Sequence, residues 1–198
     1  MKKDGSNFCA MLSRMKYIDR WALMRNSCTE NISEHSLEVA MIAHMLCVIG
    51  NKRFGKQLDT GRAALIAMYH DTTEIITGDM PTPVKYYNET MQEVFHKIED
   101  AAAEQLLAML PEDLQEEFSG LFFRQEEDEY LWRIVKAADK FSALIKCMEE
   151  KKAGNQEFES ARKATKESIL AMKLEEADCF MKEFIPAYKK NLDELQQR

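Results

Sequence analysis

The sequence predicts an all-α protein, a bundle of roughly eight helices. Turn-forming residues are scarce, because the 198 residues include only 7 glycines and 4 prolines, whereas sandwiches and barrels need many tight turns. Hydrophobic residues make up 45% of the chain and charged residues 31%, a balance typical of a globular core beneath a charged surface. Apolar residues recur at helical spacing, and no segment alternates with a period of two.

Helical spacing and end signals delimit the elements in chain order. Asn31 and Glu34 resemble a capping box at the start of the second helix, and Asp59 or Thr60 can cap the third. The glycine and prolines of residues 77–83 break the helical pattern. The predicted helices cover residues 6–19, 33–52, about 60–70, 88–109, a short segment opened by Pro111, 126–153 and 157–184.

The C-terminal part is predicted to be helical as well. Gly154-Asn155 is a natural helix stop, after which residues 157–184 are predicted to form one long, highly charged helix. No repeat or flexible linker divides the chain, and its length fits one domain. We therefore expect a single unit over residues 1–198, with a motif-bearing core at about 6–150 and C-terminal helices at about 155–198.

Charge and cysteine content narrow the functional classes. The formal net charge of -7 argues against a protein that coats nucleic-acid polymers, since such binding needs a basic surface. The five cysteines form an odd set without a C-x-x-C pair, which favours a reducing compartment over a disulfide framework. Charged residues are expected to interrupt the apolar stretches before membrane-spanning length, and no secretory signal is expected. We expect a cytoplasmic protein without a membrane or nucleic-acid partner.

Four side chains able to bind a metal ion lie near predicted helix ends or within the segment 136–139. They are His35, His70, Asp71 and Asp139. A mixed set of imidazole and carboxylate ligands suits Mn²⁺, Co²⁺, Fe²⁺, Zn²⁺ or Ni²⁺ better than Cu⁺. Spacing alone does not establish a site, because a His-Asp dipeptide arises by chance and a helical histidine is more often a hydrogen-bonded structural residue.

Five sequence blocks surround these residues. They are Arg20-Trp21, Glu30–Ser36, Met68–Glu74, Thr77–Tyr86 and Lys136–Asp139. In these blocks and their order, the chain resembles the HD-domain phosphohydrolases, specifically the bacterial 5′-deoxynucleotidases, over most of its length. The resemblance implies an all-α, single-domain HD-type bundle and a homodimer. It also implies hydrolysis of 2′-deoxyribonucleoside 5′-monophosphates to deoxynucleoside and phosphate by direct attack of metal-bound water.

The same resemblance implies one divalent metal ion, held by the two histidines and two aspartates named above. Co²⁺ or Mn²⁺ is expected ahead of Zn²⁺, Mg²⁺, Fe²⁺, Ni²⁺ or Cu²⁺. Four protein ligands on a six-coordinate ion leave positions for a water and a phosphate oxygen. Relatives with two metal ions generally carry additional histidines, and only His44 and His96 remain in this chain. We expect His44 to be structural and His96 to lie at the surface.

Glu74 and Asp79 are the candidates for proton transfer, since a carboxylate beside the attacking water can accept its proton and a carboxylic acid can protonate the leaving oxygen. The resemblance points to both residues. We assign Asp79 to water activation and Glu74 to an essential supporting role at the metal centre, although the two roles could be exchanged. The alternative is that Glu74 only solvates a helix end and Asp79 caps a turn.

Arg20 and Trp21 are the expected phosphate and sugar contacts. Arg20 offers a charged planar fork for phosphate, with a surface ion pair as its alternative role. Trp21 offers a bulky wall against a 2′-hydroxyl, with core packing as its alternative. The turn formed by residues 79–82 is expected to present backbone groups and the Thr82 hydroxyl to the nucleotide. Lys85 is expected to help bind the phosphate. The residues expected to bind the substrate are Arg20, Trp21, His35, Asp79, Met80, Pro81, Thr82 and Lys85. Met80 departs slightly from the family's usual sequence at this turn.

Other functions stay open at this point. They are an HD-type phosphodiesterase, a nucleoside-triphosphate hydrolase built on the same ligands, and a non-catalytic nucleotide-binding helical module. A triphosphate would need more cationic contacts than Arg20 and Lys85 supply. Intact ligands and both carboxylates argue against a module that has lost turnover.

Overall fold

A computed structural model describes residues 5–85 and 87–197, and the side chain of Thr82 lies outside the described residues. This part of the chain forms helices and no strand, which confirms the predicted all-α class. Three 3₁₀ helices occur at Ser13–Tyr17, Glu126–Asp128 and Ile185–Lys189. The α-helices are α1 (Phe8–Leu12), α2 (Ile32–Arg53), α3 (Thr60–Tyr69), α4 (Glu74–Thr77), α5 (Thr82–Lys85), α6 (Glu89–Leu107), α7 (Glu112–Phe122), α8 (Glu129–Lys152), α9 (Glu159–Ala171), α10 (Glu175–Glu183) and α11 (Leu192–Gln196).

The predicted start of α2 is confirmed in detail. Asn31 accepts a hydrogen bond from the Glu34 backbone N–H at 3.1 Å, and the Glu34 carboxylate accepts one from the Asn31 N–H at 3.1 Å. A cap of this kind contributes about 1 kcal/mol. It also fixes the first turn of α2, in which His35 lies. Asp59, rather than Thr60, caps α3 by accepting from the Arg62 N–H at 2.8 Å.

The core is built around α2, which packs against α3, α8 and α10. Leu46 of α2, Ile66 of α3 and Phe141 of α8 are fully buried in this cluster. Burial of each such side chain contributes about 1.5–3 kcal/mol. Because the three helices share one apolar core, the polar side chains at the start of α2, the end of α3 and the middle of α8 are held in fixed relation to one another.

Glu38 and Lys52 interrupt the apolar stretch of α2, in agreement with the sequence prediction. This helix is long and apolar enough to cross a membrane by length and composition alone, with a mean hydropathy of 1.4 in its most apolar window. More than half of that window, 56%, is buried inside the protein. A core helix packed on several sides needs the same composition as a membrane span, and the packing of α2 against α3 and α8 accounts for its apolar residues.

The single helix predicted over residues 6–19 is wrong beyond Leu12. After α1 the chain tightens into the 3₁₀ helix and becomes extended at Ile18, with φ of -104° and ψ of 106°. The cause is pairing with the segment before α2. Ile32 N–H donates to the Ile18 carbonyl at 3.0 Å, and Arg20 N–H donates to the Glu30 carbonyl at 2.9 Å. This pairing brings Arg20 and Trp21 toward the centre of the molecule.

The single helix predicted over residues 157–184 is also wrong. The structure divides it into α9 and α10, with Lys173 in the left-handed region at φ of 51° and Leu174 extended. The turn lets Leu174 and Phe180 enter the core, where they are 1% and 4% exposed. Burial of these apolar side chains outweighs the local preference for an uninterrupted helix. The predicted stop at Gly154-Asn155 agrees with the end of α8, and Gly154 has a φ of 86°.

Candidate active site

Three core helices bring the predicted metal-binding side chains together. His35 comes from the first turn of α2, His70 and Asp71 directly follow α3, and Asp139 lies in the middle of α8. Nε2 of His35 is 3.3 Å from an oxygen of Asp71 and 3.3 Å from an oxygen of Asp139. Nε2 of His70 is 3.1 Å from the same Asp71 oxygen. Residues 104 positions apart in the sequence, His35 and Asp139, thus share one cluster.

The donor atoms of this cluster fit a metal ion. One ligand atom each from His35, His70 and Asp71 lies within 4.8 Å of the other two. Both Nε2 atoms are buried, and neither makes a hydrogen bond of normal geometry in the described part of the chain. Two buried imidazole nitrogens without hydrogen bonds, facing carboxylates, are the ligands that a divalent ion requires. Asp139 lies at the edge of the cluster, outside that mutual 4.8 Å distance.

The electrostatics of the cluster favour a cation. Burial lowers the pKa of His70, but the carboxylates of Asp71 and Asp139 outweigh burial and raise that pKa to about 9. Burial raises the pKa of Asp71, yet the neighbouring imidazoles of His70 and His35 hold it well below its usual range. The carboxylates therefore draw positive charge to this point, and a divalent ion would displace the proton of His70 to supply it.

The tautomer of His70 is set by the main chain. Its Nδ1 is 2.7 Å from the carbonyl oxygen of Ala67. A carbonyl can only accept a hydrogen bond, so Nδ1 carries the proton that it donates. In the neutral ring the lone pair then lies on Nε2, which faces Asp71. Ligating histidines in metal sites are commonly held in this way through their second nitrogen.

The two candidate proton-transfer residues lie beside the cluster. Burial, together with the charges of Asp71 and Asp79, raises the pKa of Glu74 to about 10, and its buried Oε2 makes no hydrogen bond with any described residue. Burial also raises the pKa of Asp79, while Arg20 and the backbone N–H of Trp21 offset part of that effect. The Trp21 N–H donates to an Asp79 oxygen at 3.2 Å. Asp79 therefore interacts with a residue 58 positions away in the sequence.

One family of proteins matches the chain over almost its whole length. The family's sequence model, described as 5′-deoxynucleotidase YfbR-like, matches residues 7–188. The chain belongs to this family. Its relatives include a 5′-deoxynucleotidase of Vibrio vulnificus, which is 48% identical over 190 residues, covering 96% of this chain and 98% of the relative. A 5′-deoxynucleotidase of Erwinia tasmaniensis is 47% identical over 192 residues, covering 97% of each chain.

Solved structures establish the fold of this YfbR-like protein. An HD-domain phosphohydrolase from Listeria innocua superposes with a TM-score of 0.81 at 22% identity, covering 92% of this chain and 88% of that one. The HD phosphohydrolase of cyanophage S-2L, bound to dA and one catalytic Zn²⁺ ion, gives a TM-score of 0.65 at 21% identity, covering 92% and 96%. The predicted HD-type helical fold is confirmed.

In this YfbR-like protein, Glu30 links the two predicted substrate residues. Its Oε2 accepts from Nη1 of Arg20 at 2.7 Å and from the indole Nε1 of Trp21 at 3.1 Å. The Arg20 side chain is only 11% exposed, so its ion pair is not a surface one. The Trp21 ring packs on Phe158 with ring centroids 5.3 Å apart. Arg20 also approaches Asp139, with Nη2 and Oδ1 3.9 Å apart. Trp21 is thus packed, and its indole shares Glu30 with an arginine that lies at the edge of the cluster.

Sequence reasoning gave Glu30 no role of its own. The residue begins one of the blocks that carry the family resemblance, which was the available signal. Its partners are ten and nine positions away in an irregular segment, and no helical or strand periodicity relates them. The hydrogen bonds could therefore be seen only in three dimensions.

The remaining predicted substrate residues are less directly connected to the cluster. Nζ of Lys85 donates to Glu99 of α6 at 2.7 Å and lies above the Phe95 ring, 4.5 Å from its centroid. The same lysine lowers the pKa of Glu74, against the larger effect of burial, which places its charge near the site. Met80 and Pro81 are partly buried beside Asp79. The predicted contact of the Thr82 hydroxyl falls on a side chain outside the described residues.

The two spare histidines lie away from the cluster. His96 is at the surface, as predicted, with Nδ1 3.2 Å from Glu99. The expectation that His44 is structural is wrong, because this side chain is exposed on α2. It lies nine positions after His35, which turns it to the solvent side of the helix. Among the described residues, the one cluster suited to a metal ion is that of His35, His70 and Asp71.

Proposed function

We propose that this chain is a metal-dependent 5′-deoxynucleotidase, which hydrolyses 2′-deoxyribonucleoside 5′-monophosphates to deoxynucleoside and phosphate. The observation that carries the proposal is the partly buried His-His-Asp cluster with Arg20 at its edge, in a chain 48% identical to a 5′-deoxynucleotidase over nearly its full length. Phosphate-ester hydrolysis needs cationic charge at the phosphoryl group and an activated water. The cluster and its neighbours offer residues for both.

We assign the metal ion to His35, His70, Asp71 and Asp139. The orphaned Nε2 atoms and the carboxylate oxygens 3.1 to 3.3 Å from them support this assignment. A divalent ion held here would supply Lewis-acid charge to the phosphate and lower the pKa of the attacking water. Mixed nitrogen and oxygen ligands suit Co²⁺ or Mn²⁺, which we propose ahead of Zn²⁺, Mg²⁺, Fe²⁺, Ni²⁺ or Cu²⁺.

Arg20 is proposed to bind the phosphate and Trp21 to exclude ribonucleotides. Arg20 has one side of its guanidinium on Glu30, and its Nη2 points toward Asp139 at the cluster. A nucleotide phosphate beside the metal ligands would therefore meet a held, charge-assisted donor. Trp21 is fixed by Glu30 and Phe158. A rigid indole next to the sugar leaves no space for an added hydroxyl, and this is the physical basis of the proposed deoxy selectivity.

The proton is proposed to pass through Asp79, with Glu74 in a supporting role. Burial raises the pKa of both carboxyls. Arg20 and the Trp21 N–H offset part of that effect at Asp79. At Glu74 the charges of Asp71 and Asp79 add to it and raise the pKa to about 10. Asp79 is thus the better acceptor for the proton of the attacking water. The water oxygen bonds to phosphorus, the bond from phosphorus to the 5′-oxygen breaks, and the departing oxygen takes up a proton.

The nucleotide beyond its phosphate is proposed to rest on the turn after α4. Met80, Pro81 and Thr82 directly follow Asp79, and a proline-restricted turn loses little conformational freedom on binding. Lys85 is proposed to add long-range attraction for the phosphate while it remains paired with Glu99. By family likeness we also propose a homodimer in the cytoplasm.

The decisive experiment is phosphate release from matched deoxyribo- and ribonucleoside 5′-monophosphates. Full-length protein is treated with chelator and resupplied with Co²⁺, Mn²⁺, Mg²⁺ or Zn²⁺ one at a time. We expect metal-dependent release from the deoxy series and little from the ribo series. Release from cyclic nucleotides or triphosphates instead would replace the proposal by one of the other HD activities. If no substrate releases phosphate, the non-catalytic nucleotide-binding module becomes the better proposal.

A further inference from the structure

A partly buried series of hydrogen bonds lies behind His35, on the side away from the cluster. Nδ1 of His35 is 2.9 Å from Oγ of Ser142, and the Ser142 hydroxyl donates to Oε2 of Glu38 at 2.6 Å. His35 and Ser142 are both 0% exposed. Neither Ser142 nor Glu38 has a place in the proposed reaction, so the burial of the Ser142 hydroxyl beside His35 needs another reason.

The donors and acceptors in this series of hydrogen bonds follow a definite order. A serine hydroxyl carries one proton, and in this arrangement the proton is given to the carboxylate of Glu38. Oγ of Ser142 can then only accept at its other contact, so Nδ1 of His35 must carry the proton between them. A neutral imidazole has one N–H, and its lone pair consequently lies on Nε2. That atom is the one 3.3 Å from Asp71 and Asp139.

Helix geometry explains how the pair reaches His35. Glu38 follows His35 by three positions on α2, and Ser142 follows Asp139 by three positions on α8. Residues three apart share one face of a helix. Each of the two helices therefore contributes one proposed ligand and one supporting group to the same side. The packing of α2 on α8 brings the two pairs together.

We infer that Ser142 and Glu38 are positioning residues that fix the tautomer and ring orientation of His35, so that Nε2 is available to a metal ion. The inference rests on the proposed metal centre. His70 receives the equivalent support from a main-chain carbonyl, which substitution cannot remove. The support of His35 comes from side chains and is open to mutation. Loss of such supporting hydrogen bonds typically lowers metal affinity by about 10- to 100-fold.

The test is the dissociation constant for Co²⁺, measured by competition with a chelating indicator on the full-length chain. Ser142→Ala is expected to raise it at least about tenfold. Ser36→Ala is the matched control, because Ser36 is also a buried serine of the core, next to His35, and its hydroxyl makes no hydrogen bond in the described residues. The dissociation constant of Ser36→Ala for Co²⁺ should stay within about twofold of the wild-type value. Thermal melting of the metal-free proteins shows whether both variants fold.

Two substitutions of Glu38 distinguish a positioning role from a packing role. Glu38→Gln keeps an oxygen that accepts from Ser142 and should keep the affinity, whereas Glu38→Leu frees the serine proton and should weaken Co²⁺ binding by about tenfold. Long-range ¹H–¹⁵N correlation spectra report the tautomer directly, in a chain with only four histidines. Wild type should show a protonated Nδ1 at His35, and Glu38→Leu a mixture.

Two results would overturn the inference. One is a wild-type dissociation constant in folded Ser142→Ala, and the other is a spectrum in which Nε2, rather than Nδ1, of wild-type His35 carries the proton. Neither readout uses a substrate. A protein that binds Co²⁺ as expected but releases no phosphate would contradict the proposed function and leave the role of Ser142 and Glu38 intact.

Discussion

Replacement of Glu150 by Gln is expected to lower the free energy of unfolding by about 3 kcal/mol. Glu150 is 1% exposed and accepts hydrogen bonds from Nζ of Lys146 at 2.5 Å, from the Ser27 N–H at 2.9 Å and from Nδ2 of Asn155 at 2.8 Å. Lys146 is itself only 5% exposed. Removing one partner of a buried ion pair costs about 3–5 kcal/mol, because the other charge stays buried and unpaired.

The lower end of that range applies to this pair. Lys146 would keep its hydrogen bond to the Cys28 carbonyl and its position above the Phe158 ring, and the glutamine oxygen can still accept a hydrogen bond. A loss of about 3 kcal/mol is a large part of the 5–15 kcal/mol that stabilises a typical domain. Glu150 also holds Ser27, in the segment that follows Trp21.

Urea unfolding at pH 7 measures the change. The midpoint should fall while the slope m stays constant, which would identify a loss of stability rather than a change in the unfolded state. Glu149→Gln, at the neighbouring exposed position, is the control and should lie within about 0.5 kcal/mol of wild type. A Glu150→Gln protein within about 1 kcal/mol of wild type would refute the idea that Lys146 depends on this carboxylate.

The stability that Glu150 contributes depends on pH with a definite sign. Burial raises the pKa of Glu150, but the hydrogen bonds from Lys146, Ser27 and Asn155 outweigh burial and hold that pKa below its ordinary value. A carboxyl whose pKa is lowered by folding contributes stability above its unfolded pKa of about 4.3, and loses it as the pH falls toward the folded pKa. The difference between wild type and Glu150→Gln should therefore be complete at pH 7 and shrink progressively below about pH 4.

Three further predictions concern the site. Asp139→Ala should abolish tight metal binding and lower kcat/KM by more than about 100-fold; stoichiometric metal with normal turnover would remove Asp139 from the ligands. Trp21→Ala should reduce the ratio of kcat/KM for deoxyribonucleotides to kcat/KM for ribonucleotides by about tenfold. An unchanged ratio would show that the indole does not exclude the 2′-hydroxyl. Glu30→Gln should raise KM by about tenfold, because the charge-assisted bond to Arg20 is worth about 1.5–3 kcal/mol, without changing the Co²⁺ dissociation constant. A shift of both constants would mean that Glu30 acts on the whole cluster.

The parts of the fold that depend on local chemistry could be predicted from the sequence. The capping box of Asn31 and Glu34 fixed the start of α2 within a residue, and Gly154 marked the end of α8. The errors lie where distant contacts override local preference. Ile18 is extended because Ile32 pairs with it, and Leu174 is extended because its side chain is buried. Neither cause can be read from the neighbouring residues.

The candidate site divides in the same way. The two histidines and two aspartates could be named because their surrounding blocks resemble those of a known family, and the structure brings three of them within 4.8 Å. The supporting residues Glu30, Glu38 and Ser142 could not. Their proposed roles depend on hydrogen bonds that join segments up to 107 positions apart, and no pattern within one segment encodes such a pair.

The bond between Trp21 and Asp79 has a consequence for how the enzyme can change over evolution. It is made by the main-chain amide of Trp21 rather than by the indole. Every replacement at position 21 except proline keeps that amide. We propose that a replacement compatible with the left-handed φ of 60° at position 21 changes the sugar selectivity, while Asp79 keeps its backbone partner. The two proposed properties, sugar selectivity and proton transfer, therefore depend on different parts of Trp21, the indole and the main-chain amide.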